Sequence, residues 1–123
     1  MQVMDRIMRT LSSGSVLTTP SGRSTFRIEE VNARGVMIRV GSIHAWPIYI
    51  PAECWEGIPN FLRKREWIMI GATHGKPPQD SLDEYLQQFT HGTSAASYVA
   101  PILEKIGLVQ LNRRKPSRIR LIE

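Results

Sequence analysis

The spacing of apolar residues changes near residue 51, and that change restricts the folds open to this chain. From Thr25 to Val40, apolar and polar residues alternate, which is typical of strands with one buried face. From Pro51 to Arg65, apolar residues instead recur at helical spacing, with Glu56 on the polar side. Short strands followed by a largely helical segment predict an α+β fold whose strands form an antiparallel meander.

The first half of the chain contains a short helix and four extended segments. A helix is predicted over 2–11, and its methionine-rich stripe either docks on the body of the protein or forms a homodimer contact. Strands are predicted over 15–19, 25–31, 36–40 and 43–50, because turn residues separate these segments. The residues expected to face inward are Phe26, Ile28, Val36, Ile38 and Val40, with Val31 as a further candidate.

The second half alternates helices with short strands. A helix over 52–64 contains Gly57 and Pro59, so we expect a kink or two short pieces. An apolar run predicts a buried strand over 67–71, and Ser81 with Glu84 forms a capping box for a helix over 81–89. The next helix, 94–106, is expected to be capped by Thr93 or Ser94 and to end at Gly107, before strands over 108–112 and 118–122.

The charge of the chain is concentrated at its two ends. The net charge is +5. Residues 1–50 carry six basic and three acidic side chains, 51–90 carry four and six, and 91–123 carry six and two. This distribution favours a polyanionic partner such as nucleic acid. No stretch approaches the length of a membrane-spanning segment, the start lacks the apolar run of a signal peptide, and one cysteine excludes an intrachain disulfide. A cytoplasmic location is therefore expected.

No catalytic or metal-binding motif is visible in the sequence. His44, His74 and His91 are scattered, and Cys54 has no partner at the spacing of a zinc or nucleophile site. The segment 71–76 resembles a phosphate-binding loop superficially, but Pro77 follows its lysine where the motif requires Ser or Thr. We therefore expect a protein that is not an enzyme, with no catalytic residues, no metal and no cofactor.

The order of elements from about residue 52 to 123 resembles a winged helix-turn-helix domain. A short turn precedes the last helix, and Ile102–Val109 is similar to the end of many recognition helices. With the strands predicted above, the resemblance gives two units, an N-terminal helix and antiparallel β meander (residues 1–50) packed on a C-terminal winged helix (51–123). It also implies that the helix from Ser94 lies in the major groove. Its expected outward residues, Ser94, Ser97, Ala100, Pro101, Glu104 and Lys105, offer weak base readout, and Pro101 departs from the usual pattern.

The turn between the last two strands is strongly basic and would be the wing. A wing crosses the phosphate backbone or enters the minor groove, so about four phosphate contacts there predict a slope of about −4 in log affinity against log salt. The nucleic-acid-binding residues predicted from the helix and the wing are Thr93, Ser94, Ser97, Lys105, Arg113, Arg114, Lys115, Ser117, Arg118 and Arg120. A second surface is predicted on the β unit at Arg23, Arg27, Arg34 and Arg39.

Four aromatic residues crowd the join between the two halves: Trp46, Tyr49, Trp55 and Trp67. They are expected to form the core between the sheet and the helices. The alternative is an aromatic pocket that stacks a flipped or modified base.

The sequence thus predicts a DNA-binding protein, with RNA as a further possible partner and no membrane association. A transcription regulator or an accessory reader in a DNA-processing or restriction system would fit this pattern. Two alternatives stay open. One is a winged-helix module that binds proteins instead of DNA, and the other is an enzyme whose site is built by the β half.

Overall fold

The structure is a computed structural model that describes residues 2–41, 46–71 and 75–122. Within these ranges the chain forms an α+β fold with four helices and two antiparallel sheets. The helices are α1 (Val3–Thr10), α2 (Ala52–Leu62), α3 (Leu82–Thr90) and α4 (Ala96–Lys105). The strands are β1 (Val16–Thr18), β2 (Thr25–Asn32), β3 (Gly35–Val40), β4 (Trp46–Pro51), β5 (Ile68–Met69), β6 (Val109–Asn112) and β7 (Arg118–Leu121).

The strands β1 to β4 form the predicted meander, paired in chain order. Its inward residues are the predicted ones, since Phe26, Ile28, Val36, Ile38 and Val40 are all buried. A β-bulge between Ile28 and Glu30 shifts the register, so that Val31 pairs with Val36 and packs against the core. The predicted fourth strand began at residue 43, but residues 42–45 lie outside the described part of the chain, and β4 begins at Trp46.

The strands β5, β6 and β7 form a second sheet in the order β5-β7-β6. The strand β5 is shorter than the predicted 67–71, although the Ile70 N–H extends the pairing by donating to the Ser117 carbonyl at 3.0 Å. Ile119 in the central strand is fully buried, so this sheet also turns one face to the core. The helices α3 and α4 lie in the chain between β5 and its partner β7.

The helix α2 connects the two sheets and is a single helix of 11 residues, so it is not divided into two pieces, and the alternative expectation of a kink stays a prediction. Trp55 is fully buried, and its indole N–H donates to the Ile50 carbonyl at 3.2 Å. Gly57 allows a close approach, because a Cβ there would lie 2.4 Å from the Tyr85 hydroxyl oxygen. That hydroxyl donates to the Cys54 carbonyl at 2.8 Å, which fixes α3 against α2.

The helix α1 docks on α2 through its N-terminus. The Glu56 carboxylate accepts hydrogen bonds from the backbone N–H groups of Val3 and Met4, at 2.8 and 2.9 Å. These two donors have no partner inside α1, so Glu56 caps the helix from outside. The amphipathic pattern assigned Glu56 only to the polar side of α2 and did not predict this contact. A homodimer contact through α1, where Met8 is exposed, stays a prediction.

Both halves of the chain contribute to one apolar core. Residues from α1, from the meander and from all three later helices belong to the same buried cluster. The strand β4 ends at Pro51 and α2 begins at Ala52, so strand and helix follow each other without a linker. The division of the chain into two units at residues 50 and 51 stays a prediction.

Candidate nucleic-acid interface

The turn between α3 and α4 is locked by a buried carboxylate. Asp83, in the first turn of α3, is fully buried, and one of its oxygens accepts from the backbone N–H groups of Ala95 and Ala96 and from the Ser94 hydroxyl, each at 3.2 Å. Its other oxygen accepts from the Gln87 side-chain amide at 2.8 Å. Asp83 therefore caps α4 from the preceding helix and fixes the angle between the two.

This arrangement corrects the predicted cap of α4. The N-cap position is Ala95, which has no side-chain cap, while Ser94 uses its hydroxyl to bond Asp83 and Thr93 is exposed in the turn. The capping box of α3 is correct in one half, because the Ser81 hydroxyl accepts from the Glu84 N–H at 3.2 Å. The Glu84 carboxylate, however, accepts from the N–H of Asp80 at 2.9 Å, one residue before the N-cap Ser81.

Most of α4 is covered by the rest of the molecule. The prediction that Ala100 and Pro101 face outward is wrong, since both are buried. The strand β1 packs beside α4, and Phe26 meets Tyr98 edge to face with ring centroids 5.3 Å apart. Helical periodicity could not predict this, because a second apolar layer covers the side of α4 that a simple helical domain would leave open. The helix is continuous through Pro101.

The positions of α4 that retain exposure lie at its two ends. Ser97 is half-buried near the N-terminus, while Glu104 and Lys105 lie at the C-terminus. Burial raises the pKa of the Tyr98 hydroxyl, so Tyr98 remains neutral at physiological pH. A helix exposed only at its ends cannot lay its length in a major groove while β1 stays in place.

Ser97 opens into a cavity of about 570 Å³ between the meander and the basic turn. The walls include Pro20 and Ser21 from the turn between β1 and β2, and Met69 from β5. Lys115 and Ser117 from the turn between β6 and β7 complete the cavity. The structure therefore brings three predicted site residues, Ser97, Lys115 and Ser117, to one cavity together with a segment of the β unit.

The basic turn between β6 and β7 presents three exposed cations. Arg114, Lys115 and Arg118 are exposed, and no salt bridge involves them within the described residues. Arg113 differs, because its guanidinium donates two hydrogen bonds to Glu104, at 3.0 and 2.5 Å. This bidentate pair raises the pKa of Arg113 and engages the charge of its side chain.

Arg120 takes a structural position on the outward side of the three-stranded sheet. Its guanidinium lies 4.8 Å from the centroid of the Trp67 ring, and its Nε donates to the Gln110 side-chain oxygen at 2.9 Å. Lys105, at the end of α4, is exposed and lines a shallow groove against β1 with Arg113. Lys105 and Arg120 thus line different grooves.

The arginines of the β unit do not form one patch. Arg27 and Arg39 are paired across β2 and β3, and Arg39 forms a salt bridge with Glu29. Arg23 lies in the turn before β2, and Arg34 lies in the turn after β2, so they occupy opposite ends of that strand. Of the four, Arg23 is the one whose turn, at Pro20 and Ser21, borders the cavity with Lys115.

The expectation that four aromatic residues form the joint core is correct for Trp55 alone. Trp46 is 56% exposed, Tyr49 is 45% exposed and Trp67 is 37% exposed. Trp46 and Tyr49 line a second cavity of about 570 Å³ beside β4, opposite Phe89 and His91 at the end of α3. Trp67 lies elsewhere, on the second sheet. The prediction is wrong for the other three residues because nearness to residue 51 in the sequence does not determine which face of a strand a side chain occupies.

The thiol of Cys54 is buried inside the protein. Burial raises the pKa of Cys54 to about 12, with a smaller contribution from the nearby Glu53 carboxylate, so the thiol stays protonated at neutral pH. His44 and His74, and with them part of the segment 71–76, lie outside the described residues. Among residues 2–41, 46–71 and 75–122, no group of three His, Cys, Asp or Glu side chains could hold a metal ion. The same ranges contain no helix that could cross a bilayer.

Comparisons with known proteins found no relative. No family model, no curated protein and no solved structure matches this chain.

Proposed function

We propose that this chain is a nucleic-acid-binding protein whose C-terminal unit, residues 52–122, is a winged helix, with the turn between β6 and β7 as its wing. The support is the order helix, strand, helix, helix, strand, strand, together with the pairing of β5 with β7. In such a unit, α3 and α4 form the helix-turn-helix, and Asp83 stabilises the turn between them. The meander packs on this unit as an accessory layer.

The observation that carries the proposal is the set of free cations on the wing. Arg114, Lys115 and Arg118 are exposed and within reach of a phosphate backbone, and no described carboxylate neutralises them. Each cation that meets a phosphate releases counterions, which makes association favourable and dependent on salt. Because Glu104 engages Arg113, three contacts are expected in place of four, and the predicted salt slope becomes about −3.

The cover over α4 limits how this protein would read a sequence. Ala100 and Pro101 are buried, and β1 packs beside α4, so deep insertion of α4 into a major groove is not part of the proposal. The polar residues left at the contact are Ser97, Ser117 and Ser21, which surround the cavity beside Lys115. Serine hydroxyls bond phosphates and bases alike, so affinity without strong sequence preference is the expected behaviour.

A mobility-shift titration of duplex DNA tests this function. The wild type should lose affinity about 40-fold between about 50 and about 200 mM salt, which corresponds to three released contacts. The variant Arg114→Gln/Lys115→Gln/Arg118→Gln should bind weakly with a nearly flat salt dependence. The control Arg9→Gln/Arg27→Gln/Arg34→Gln removes the same charge from exposed residues outside the wing and should keep the wild-type slope. Equal losses of DNA affinity in both variants would show that the wing contributes only through the net charge of the protein.

A second candidate function is a module that binds another protein, and the cavity beside β4 favours it. This cavity has exposed aromatic walls at Trp46 and Tyr49 and no lysine or arginine among its lining residues. Exposed aromatic side chains without cations suit a protein partner better than a polyanion. If the wild type shows no salt-dependent affinity for DNA, this function becomes the favoured one.

A further inference from the structure

The outward face of the three-stranded sheet carries an aromatic ring among cations and amides. Ile119 pairs with Ile68 and Leu111 and is fully buried, so these positions turn toward the core. Strand alternation then turns the neighbouring positions outward. The outward residues are Met69, Gln110, Asn112, Arg118 and Arg120, with Trp67 just before β5.

Trp67 is held in place as a platform on this face. The Arg120 guanidinium lies over its ring at 4.8 Å from the centroid, and Gln110 in turn fixes Arg120 by a hydrogen bond of 2.9 Å. A cation–π contact of this kind orders both side chains while they remain partly open to solvent. With 37% of its surface exposed, the ordered Trp67 side chain has apolar area available for stacking.

The three strands of this sheet carry charge of one sign. The segments of β5, β6 and β7 contain no acidic residue. The wing cations Arg114 and Lys115 lie at one end of β7, and the exposed Arg63, Lys64 and Arg65 line a groove with Arg120 at the other end. Two described carboxylates adjoin this face: Glu66 lines the same groove as Arg63–Arg65, and Glu104, which is engaged by Arg113, lines a shallow cavity with Trp67. The cations outnumber these carboxylates, so a mainly cationic path runs along β7 past Trp67.

We infer that this sheet face binds an unpaired stretch of nucleic acid, with Trp67 stacking a base and Arg118 and Arg120 holding the backbone. The inference deepens the proposed function and rests on it, since the same strand would continue into the duplex at the wing. Unpaired bases are required, because a duplex hides the faces that an aromatic ring can stack upon. The four residues of β7 span roughly 13 Å, enough for a short segment of a few nucleotides.

Two matched substitutions test the inference by binding of an oligothymidine strand. Trp67→Leu should weaken single-strand binding about 10-fold and leave duplex binding unchanged, because the loss of one stacked base affects the single strand only. Trp67→Phe retains a ring and should recover most of the affinity. Trp46→Leu removes a more exposed tryptophan from the other sheet and should change neither single-strand nor duplex binding. In a Trp46→Phe background, the single strand should quench the fluorescence of Trp67, since Trp55 is buried.

The outcomes separate this inference from the proposed function. If duplex binding depends on the wing while Trp67→Leu leaves single-strand affinity intact, the inference is wrong and the proposed function stands. If the wild type binds neither form of DNA, both fail. If Trp67→Leu and Trp46→Leu weaken single-strand binding equally, the sheet face has no special role and the inference is also overturned.

Discussion

The two sheets of this protein share one core but differ in what they show to solvent. The meander carries cations and carboxylates together, and its Arg39 is paired with Glu29 on the strand beside it. The three-stranded sheet carries cations, amides and Trp67 with no acidic residue in its strands. Both regions contribute positive charge to the chain, but in the described part of the chain only the second sheet has strands free of acidic residues. Local pairing, more than net charge, separates a solvated surface from a binding surface.

The largest expected difference between the two regions comes from reversing charges. Arg114→Glu/Arg118→Glu should lower duplex affinity by about 100-fold or more, because two phosphate contacts are lost and two repulsions are added. Arg27→Glu/Arg34→Glu makes the same change in net charge on the β unit and should lower duplex affinity less than about 5-fold. Mobility shifts at one low salt concentration compare the two. Equal losses would mean that the meander binds as strongly as the wing.

The link between the two regions is tested by the cap of α4. Asp83→Ala should destabilise the protein by about 2–3 kcal/mol, because backbone donors at the start of α4 lose their buried acceptor. Asp83→Asn keeps one oxygen acceptor and should cost about half as much. Urea unfolding followed by circular dichroism measures both. A loss below about 0.5 kcal/mol for the alanine variant would show that Asp83 does not hold the turn.

A smaller effect is expected where α2 meets α3. Gly57→Ala should cost about 1–2 kcal/mol, because its Cβ would lie 2.4 Å from the Tyr85 hydroxyl oxygen. Removing that hydroxyl with Tyr85→Phe frees the space, so the cost of Gly57→Ala should be smaller in the Tyr85→Phe background. Additive losses in this double-mutant cycle would contradict the contact.

The Cys54 thiol provides a test of the shared interior through pH. Its pKa is raised to about 12 in the folded protein from an ordinary value of 9.0, so the unfolded chain loses this proton first as the pH rises. Its contribution to stability is full below pH 9 and is lost as the pH rises through about 12. Between about pH 8 and about pH 10, the free energy of unfolding should therefore decrease more in the wild type than in Cys54→Ala. Equal decreases in the free energy of unfolding would show that the Cys54 thiol is in contact with solvent.

The smallest expected effect concerns the neutralised cation of the hairpin. Glu104→Gln removes the negative charge that engages Arg113 and should raise duplex affinity about 3-fold while steepening the salt slope by about 1. This variant would make the hairpin resemble the four-cation wing expected from the sequence. An unchanged slope would mean that Arg113 points away from the bound phosphates.

The sequence predicted the meander well because its information is local. Alternation and turn residues specify strands and inward faces, and Phe26, Ile38 and Val40 are buried as expected. The sequence did not predict the β-bulge at Glu29. The inward position of Val31 was a sign of it, because strict alternation from Ile28 would turn Val31 outward. The helices and the final hairpin were also located to within a few residues.

The candidate site was harder to predict because its decisive contacts are between distant residues. Asp83 caps α4 from another helix, and Glu104 engages Arg113 across a turn. Neither contact leaves a periodic signal, although an acidic residue beside the inward Leu82 and Leu86 was a hint that Asp83 had a buried partner. The cover of β1 over Pro101 depends on how two units pack, which periodicity within one helix cannot reveal.

The central claim is that the free wing cations give this protein its affinity for nucleic acid. The most direct measurement is the salt dependence of duplex binding by the wild type and by Arg114→Gln/Lys115→Gln/Arg118→Gln. A slope of about −3 that becomes nearly flat in the variant is the predicted result. A wild-type slope near zero, or a variant that keeps the wild-type slope, would contradict it.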